Sequence, residues 1–224
     1  MPRTLFTESQ THAEDGVRLL SSRVDKAITD AMEALRTRNM RLAQSVVEGD
    51  AEVNQQRYAL EEEVLQMMAT QAPVASDLRE LVSILSIVSD LERIGDHAEG
   101  IARIAQFLGD DPVALTEPEL WVMAQRVQHM LRASIESFLE RDEAAARATC
   151  DVDDEVDEIY DRIHRHVIQQ LAGLPHDAQE FDAYTHLLWA SHNLERIGDR
   201  ATNICERAIF LVTGRLEEIN VSRY

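Results

Sequence analysis

The sequence predicts an all-α protein built as two tandem three-helix bundles, and three observations carry that expectation. Only 5% of the 224 residues are aromatic, glycines and prolines number 8 and 5, and long runs of Ala, Leu, Glu, Arg and Gln favour helix throughout. Helix-breaking punctuation is sparse and divides the chain into six long segments. Finally, the hexapeptide "LERIGD" stands at residues 91–96 and again at 194–199. A single shift of 103 residues, without a gap, also lays Arg38 on Arg141, Asp50 on Asp153, Val53 on Val156, Ala69 on Ala172 and Leu85 on Leu188. The match makes the chain an internal duplication.

Each helix follows from its punctuation, with ends good to about 2–4 residues. The first is expected over about 12–47 and stops at "EGD", Glu48 to Asp50. The second, about 51–70, takes Asp50 as its N-cap and ends before Pro73. The third, about 74–108, closes on "GDDPVALTEP", which also divides the halves at 1–110 and 111–224. The fourth, about 118–148, opens on Thr116 and Glu119 in capping-box spacing and ends at "TCD". The fifth, about 152–171, takes Asp151 as N-cap and ends at "GLPH"; the sixth, about 177–213, ends at Gly214. Both halves share a long, short, long order. A lone helix cannot bury its apolar stripe, whereas three antiparallel helices on short turns enclose a core. Met67, Met68, Leu65, Trp121 and Trp189 read as parts of such cores.

Charge narrows the function. The formal net charge is −19, which lacks the cationic footprint that direct DNA binding requires and repels an anionic bilayer face. No run of about 18 apolar residues supplies a spanning helix. The start, "MPRTLFTESQTHAED", lacks the apolar heart of a signal peptide, and the two cysteines, Cys150 and Cys205, suit a reducing compartment. A cytoplasmic protein is expected.

The repeated hexapeptide places Glu92 four residues before Asp96 and Glu195 four before Asp199. At 100° per residue each pair lies within about 40° on one helix edge, bordering the apolar face of Ile84, Val88, Leu91, Gly95 and Ala98. Like charges at this spacing repel by about 0.2–0.5 kcal/mol, and a mid-helix glycine costs about 1 kcal/mol relative to alanine. A metal ion accounts for both. Two carboxylates one turn apart converge on a hard cation whose charge reverses the repulsion, and Gly95 or Gly198 lets the cluster approach the backbone. In register, the second helix of each half offers Asp50 with Asn54 and Asp153 with Asp157. Such oxygen sets favour Mg²⁺, Mn²⁺, Fe or Ca²⁺ over a structural zinc. His164, in register with Glu61, is a candidate nitrogen donor for the second set. The other reading of these residues is a duplicated structural motif in which Arg93 and Arg196 pair with neighbouring acids.

No phosphate-cradling loop, nucleophile elbow or paired-cysteine motif is present, nor the two Glu-x-x-His elements of a di-iron oxidase. No enzymatic machinery is visible. A helical-bundle metal-storage or redox protein and a metal-free scaffold stand as alternatives to a regulatory role.

"APVASDLRELVSI" from Ala72 followed by "DLERIGDHAEGIA", and "NLERIGDRATNICERAIFLVTG" in the second half, resemble the two signature stretches of the PhoU family, regulators that accompany bacterial high-affinity phosphate uptake. The resemblance spans essentially the whole chain. It implies a pair of three-helix bundles and a non-enzymatic negative regulator of the phosphate-starvation response. As a homodimer, such a regulator would link the ATPase subunit of the phosphate ABC transporter to a membrane sensor histidine kinase. It further implies a divalent or multinuclear metal (Mg, Mn, Fe or Zn) at the family's E/D-x-x-x-D motifs. Those fall here on Glu92 and Asp96, Glu195 and Asp199, and Asp153 and Asp157, with Asp50 and Asn54 in the fourth place. Asn54 brings no charge where an acid is expected, and Gly100 stands where the family often has the Asn that Asn203 supplies in the second half. The two sites are therefore expected to be unequal, the first binding metal more weakly.

Overall fold

The computed structural model describes residues 3–175 and 180–219. Among them are seven helices, one 3-10 turn and no strand. In the first half α1 (Arg3–Thr37), α2 (Met40–Gln71) and α3 (Ser76–Leu108) pack against one another. After a 3-10 turn at Val113–Thr116, α4 (Glu119–Leu139), the short α5 (Glu143–Cys150), α6 (Asp153–Gly173) and α7 (Glu180–Thr213) form the second bundle. The predicted start of the last helix, at 177–179, lies outside the described residues.

Neighbouring helices run antiparallel, as their cross-helix partners show. His12 of α1 meets Glu63 of α2, Arg57 of α2 meets Glu92 of α3, and Glu119 of α4 meets Arg162 of α6. The third helices of the two halves form the buried centre. Ile84, Ile87, Val88, Leu91 and Ile94 of α3 and Ala190, Leu194, Ile197 and Ala201 of α7 are fully enclosed. Wrapping α3 with α1 and α2, and α7 with α4, α5 and α6, buries one face of every helix.

The first helix boundary differs from the sequence expectation. Glu48, Gly49 and Asp50 do not end a helix, because α2 runs straight through them, and Asp50 is no N-cap. The break comes at Arg38, whose φ is +58°, followed by Asn39 in extended conformation with its side chain accepting from the Leu42 N–H at 3.1 Å. Asn39 N–H reaches back to the Ala34 carbonyl at 3.0 Å, which closes α1 through a left-handed residue. The duplication repeats the device at the same shift. Arg141 has φ +55°, Asp142 caps the Ala145 N–H at 3.0 Å, and Asp142 N–H bonds the Ser137 carbonyl at 2.9 Å. Arginine in place of the usual glycine at the left-handed position hid both breaks.

Two further caps are corrected. Asp151 closes α5, with its N–H on the Arg147 and Thr149 carbonyls, and leaves Val152 at the cap of α6 without a side-chain bond. Thr116 turns back to the Val113 carbonyl, and Glu117 accepts from the Glu119 N–H at 3.4 Å, so no capping box forms. Nor are all the expected core residues buried, since Leu65 and Trp189 are exposed while Met67 is enclosed.

A pseudo-twofold relation governs the α3–α7 seam. Asp90 and Asn193 are register mates, as are His97 and Arg200, and Gly100 and Asn203. On one side Arg200 and Asn203 donate to Asp90 at 3.4 and 3.3 Å. On the other, His97 Nδ1 bonds Asn193 Oδ1 at 3.0 Å, and a Cβ on Gly100 would stand 2.9 Å from that same oxygen. Gly100 departs from asparagine because Asn193 fills its space. Burial pushes the Asp90 carboxyl up and the His97 imidazole down. Away from that seam, Arg141 also bonds across the halves, donating to the buried Glu80 of α3 at 2.6 Å and lying 3.5 Å from Glu14 of α1.

Candidate metal centre

In each half the second and third helices bring the expected residues together across an antiparallel hairpin. The glycine of the repeated hexapeptide sits at the crossing. A Cβ on Gly95 would stand 3.1 Å from Val53 and 3.6 Å from Asp50 Oδ1; on Gly198 it would stand 3.1 Å from Asp153 Oδ1 and 3.5 Å from Val156. The small residue thus admits the aspartate of the facing helix, which explains a mid-helix glycine in both copies.

In the first half Asp50 and Asn54 of α2 face Glu92 and Asp96 of α3. Asn54 donates to Asp50 Oδ2 at 2.8 Å, and Asp50 Oδ1 is buried without a hydrogen bond. Burial holds the Asp50 carboxyl above its ordinary range, with Asp96, Glu99 and Glu92 adding repulsion. Glu99, which lies one turn beyond Asp96, therefore belongs to this group as well. A cation of the chain also enters it. Arg57 of α2 donates to Glu92 Oε1 and to Glu61 Oε1, both at 2.8 Å, while Glu92 Oε2 lies 3.5 Å from Arg93 Nε.

In the second half Asp153 and Asp157 of α6 face Glu195 and Asp199 of α7. Asp153 is 3% and Glu195 9% exposed. Glu195 Oε2 is buried and accepts no hydrogen bond, with His192 Nδ1 3.4 Å away. Burial first, then Asp199, Asp157 and Asp153, push the Glu195 carboxyl up to about 7, against the pull of Arg196. Asp157 is raised by burial and by Asp199, and Asp199 by burial. Tyr160 occupies the register position of Arg57, and Glu195 helps to push its hydroxyl up. His164 does not join the acids; its ring faces that of Tyr160 at 6.0 Å.

Arg93 pairs with Asp96 at 3.1 Å and Arg196 with Asp199 at 2.6 Å, so one acid of each hexapeptide is tied to its own helix. Among the described residues no group of three or more His, Cys, Asp or Glu side chains is gathered tightly enough to hold an ion. A hard cation that drew the carboxylates together would relieve their mutual repulsion. The second set fits such an ion through its four carboxylates and an unbonded buried oxygen. The first set, with Glu99, also has four carboxylates, and Asp50 Oδ1 and Glu92 Oε2 are likewise buried without a hydrogen bond; what sets it apart is the amide of Asn54 and the arginine already in place.

Fold and site define a duplicated helical-bundle protein with a carboxylate-lined hairpin in each half. The chain belongs to the PhoU family: the model of the PhoU domain matches residues 17–105 and 120–208, two segments related by the same shift that aligns the hexapeptides. A relative from Clostridium acetobutylicum, named a phosphate-specific transport system accessory protein PhoU homolog, is 33% identical over 221 residues, covering 98% of this chain and all of its own length. A Pseudomonas aeruginosa homologue of the same name is 36% identical over 194 residues, 85% of this chain and 78% of that protein. The crystal structure of the phosphate transport system regulatory protein PhoU from Streptococcus pneumoniae superposes with a TM-score of 0.87 at 30% identity, covering 96% of this chain and 100% of that one. PhoU from P. aeruginosa gives 0.85 at 32% identity, covering 94% of this chain and 100% of that one.

Proposed function

We propose that this chain is a non-enzymatic, cytoplasmic negative regulator of phosphate uptake and of the phosphate-starvation response. It acts as an adaptor between the ATPase subunit of a phosphate ABC transporter and a sensor histidine kinase. Its relatives are named accessory or regulatory proteins of phosphate transport, which supports the transporter as one partner. Among the described residues no helix is long and apolar enough to cross a membrane. Residues 1–110 and 111–224 serve as the two repeat units, and the chain works as a homodimer.

The observation that carries the metal part of the proposal is the second acidic hairpin, where Glu195 presents an unbonded, buried carboxylate oxygen among Asp153, Asp157 and Asp199. These side chains would hold the ion between α6 and α7. A bound divalent or multinuclear centre (Mg, Mn, Fe or Zn) would supply positive charge and an open coordination position for an anion. The chain's own part is to orient the carboxylates from two rigid helices. The surrounding surface, with a net charge of −19, steers a basic patch on the partner, so association should slow as salt rises.

In a bacterium deleted for its own family member, expression of this chain should restore repression of a phosphate-starvation reporter at high phosphate. Co-purification with the transporter ATPase and the kinase should weaken as ionic strength rises. A reporter that stays on at high phosphate, with neither partner retained, would reject the adaptor role.

A further inference from the structure

The two hairpins are copies of one another, yet they differ at the residue that points into the acids. In the first, Arg57 is largely enclosed and bonds Glu92 Oε1 at 2.8 Å while its Nε holds Glu61. In the second, the same shift puts Tyr160 there, and no arginine of α6 is paired with Glu195. The position one turn earlier moves the same way, with uncharged Asn54 against acidic Asp157. Asn54 spends its amide on Asp50 Oδ2 at 2.8 Å, which satisfies an oxygen that would otherwise seek a cation.

A guanidinium is a permanent cation with five donors, and it neutralises buried carboxylates without an ion from solution. Its position beside Glu92 also excludes a metal: a divalent ion drawn to Glu92 and Asp96 would meet a fixed positive charge on the facing helix. Glu195 has no guanidinium on the facing helix: its cationic neighbours, His192 with Nδ1 3.4 Å away and Arg196, stand on its own helix, and its carboxylate lies among three aspartates.

We infer that the two copies have diverged, with Arg57 standing as the resident cation of the first hairpin, so that metal loads the second hairpin alone. This rests on the metal-binding reading above and specifies which half carries it. A lone positive side chain has replaced an ion in one repeat, and the two ends of the molecule therefore answer differently to metal supply. The first stays ordered when metal is scarce, whereas the second loosens.

The test uses the full chain, stripped with a chelator, dialysed, and titrated with Mn²⁺, with bound metal per chain counted by elemental analysis and by loss of the free-ion electron paramagnetic resonance signal. Glu195→Gln should abolish binding and Glu92→Gln should leave it intact. Exchanging the register mates gives the decisive pair: Arg57→Tyr should create a second class of site and double the metal per chain, and Tyr160→Arg should empty the existing one. Circular dichroism on each variant establishes that the helices remain. Wild-type metal that falls by half in both Glu92→Gln and Glu195→Gln would overturn the divergence and leave metal binding standing. No Mn²⁺ on wild type or on Arg57→Tyr would overturn the metal reading itself.

Discussion

Substituting Glu14 by glutamine should stabilise the protein above neutral pH and do little below it. Glu14 lies in α1 beside Glu80 of α3, and both reach Arg141 from the other half. Burial, then the Glu80 carboxylate, raise its carboxyl from 4.5 to about 7. At about 1.4 kcal/mol per pH unit, that displacement caps the cost of ionising Glu14 in the folded state at about 3 kcal/mol. The side chain is 26% exposed, so solvent screening leaves about half, about 1.5 kcal/mol. The sign follows from proton binding. Unfolded, Glu14 gives up its proton near 4.5; folded, it keeps it to about 7, so stability is lost as pH climbs through that window. Glutamine is neutral throughout and still donates to Glu80, as protonated Glu14 does. In urea denaturation with chelator present, Glu14→Gln should match wild type within about 0.5 kcal/mol at pH 5. At pH 8 it should exceed wild type by about 1.5 kcal/mol, or about 3–6 °C in melting temperature. A variant that is less stable at pH 8, or displaced equally at both pH values, would refute the argument.

Other consequences are simpler to read. Gly49 lies inside α2 with open space where its Cβ would go, so Gly49→Ala should raise stability by about 1 kcal/mol, measured as a shift of the urea midpoint. Asp142→Ala removes the cap on the Ala145 N–H and should cost about 1 kcal/mol, as should Asn39→Ala at its register mate. Excess Mn²⁺ should raise the melting temperature of wild type, by an amount equal to about 2.7 kcal/mol at a hundredfold excess over Kd, and leave Glu195→Gln where it was.

Much of the fold was legible because duplication writes the same constraints twice. Glu92, Asp96, Glu195 and Asp199 were visible as costs that recur in register, and Gly95 and Gly198 as small residues beside them. The structure supplies what they are small for, the approach of Asp50 and Asp153. Helix ends were less legible for a local reason: a glycine at 49 reads as a stop but packs as a helical residue, while the real stops use arginines at positive φ. Arg57 stood in plain view against Tyr160, yet only the hairpin's geometry reveals that its guanidinium lies on Glu92. Trp189 reads as core by residue type. It instead stands 56% exposed, its ring tilted 5.1 Å from His186, because its place on α7 lines an open groove with Gly100, Ile104 and Phe107 of α3.

Crystals of the full chain soaked in Mn²⁺, with diffraction data collected at the manganese edge, would locate the ion in one hairpin or both. An anomalous peak is expected between α6 and α7 among Asp153, Asp157, Glu195 and Asp199, and none between α2 and α3 where Arg57 meets Glu92. Peaks in both hairpins, or a peak beside Arg57 alone, would contradict that expectation.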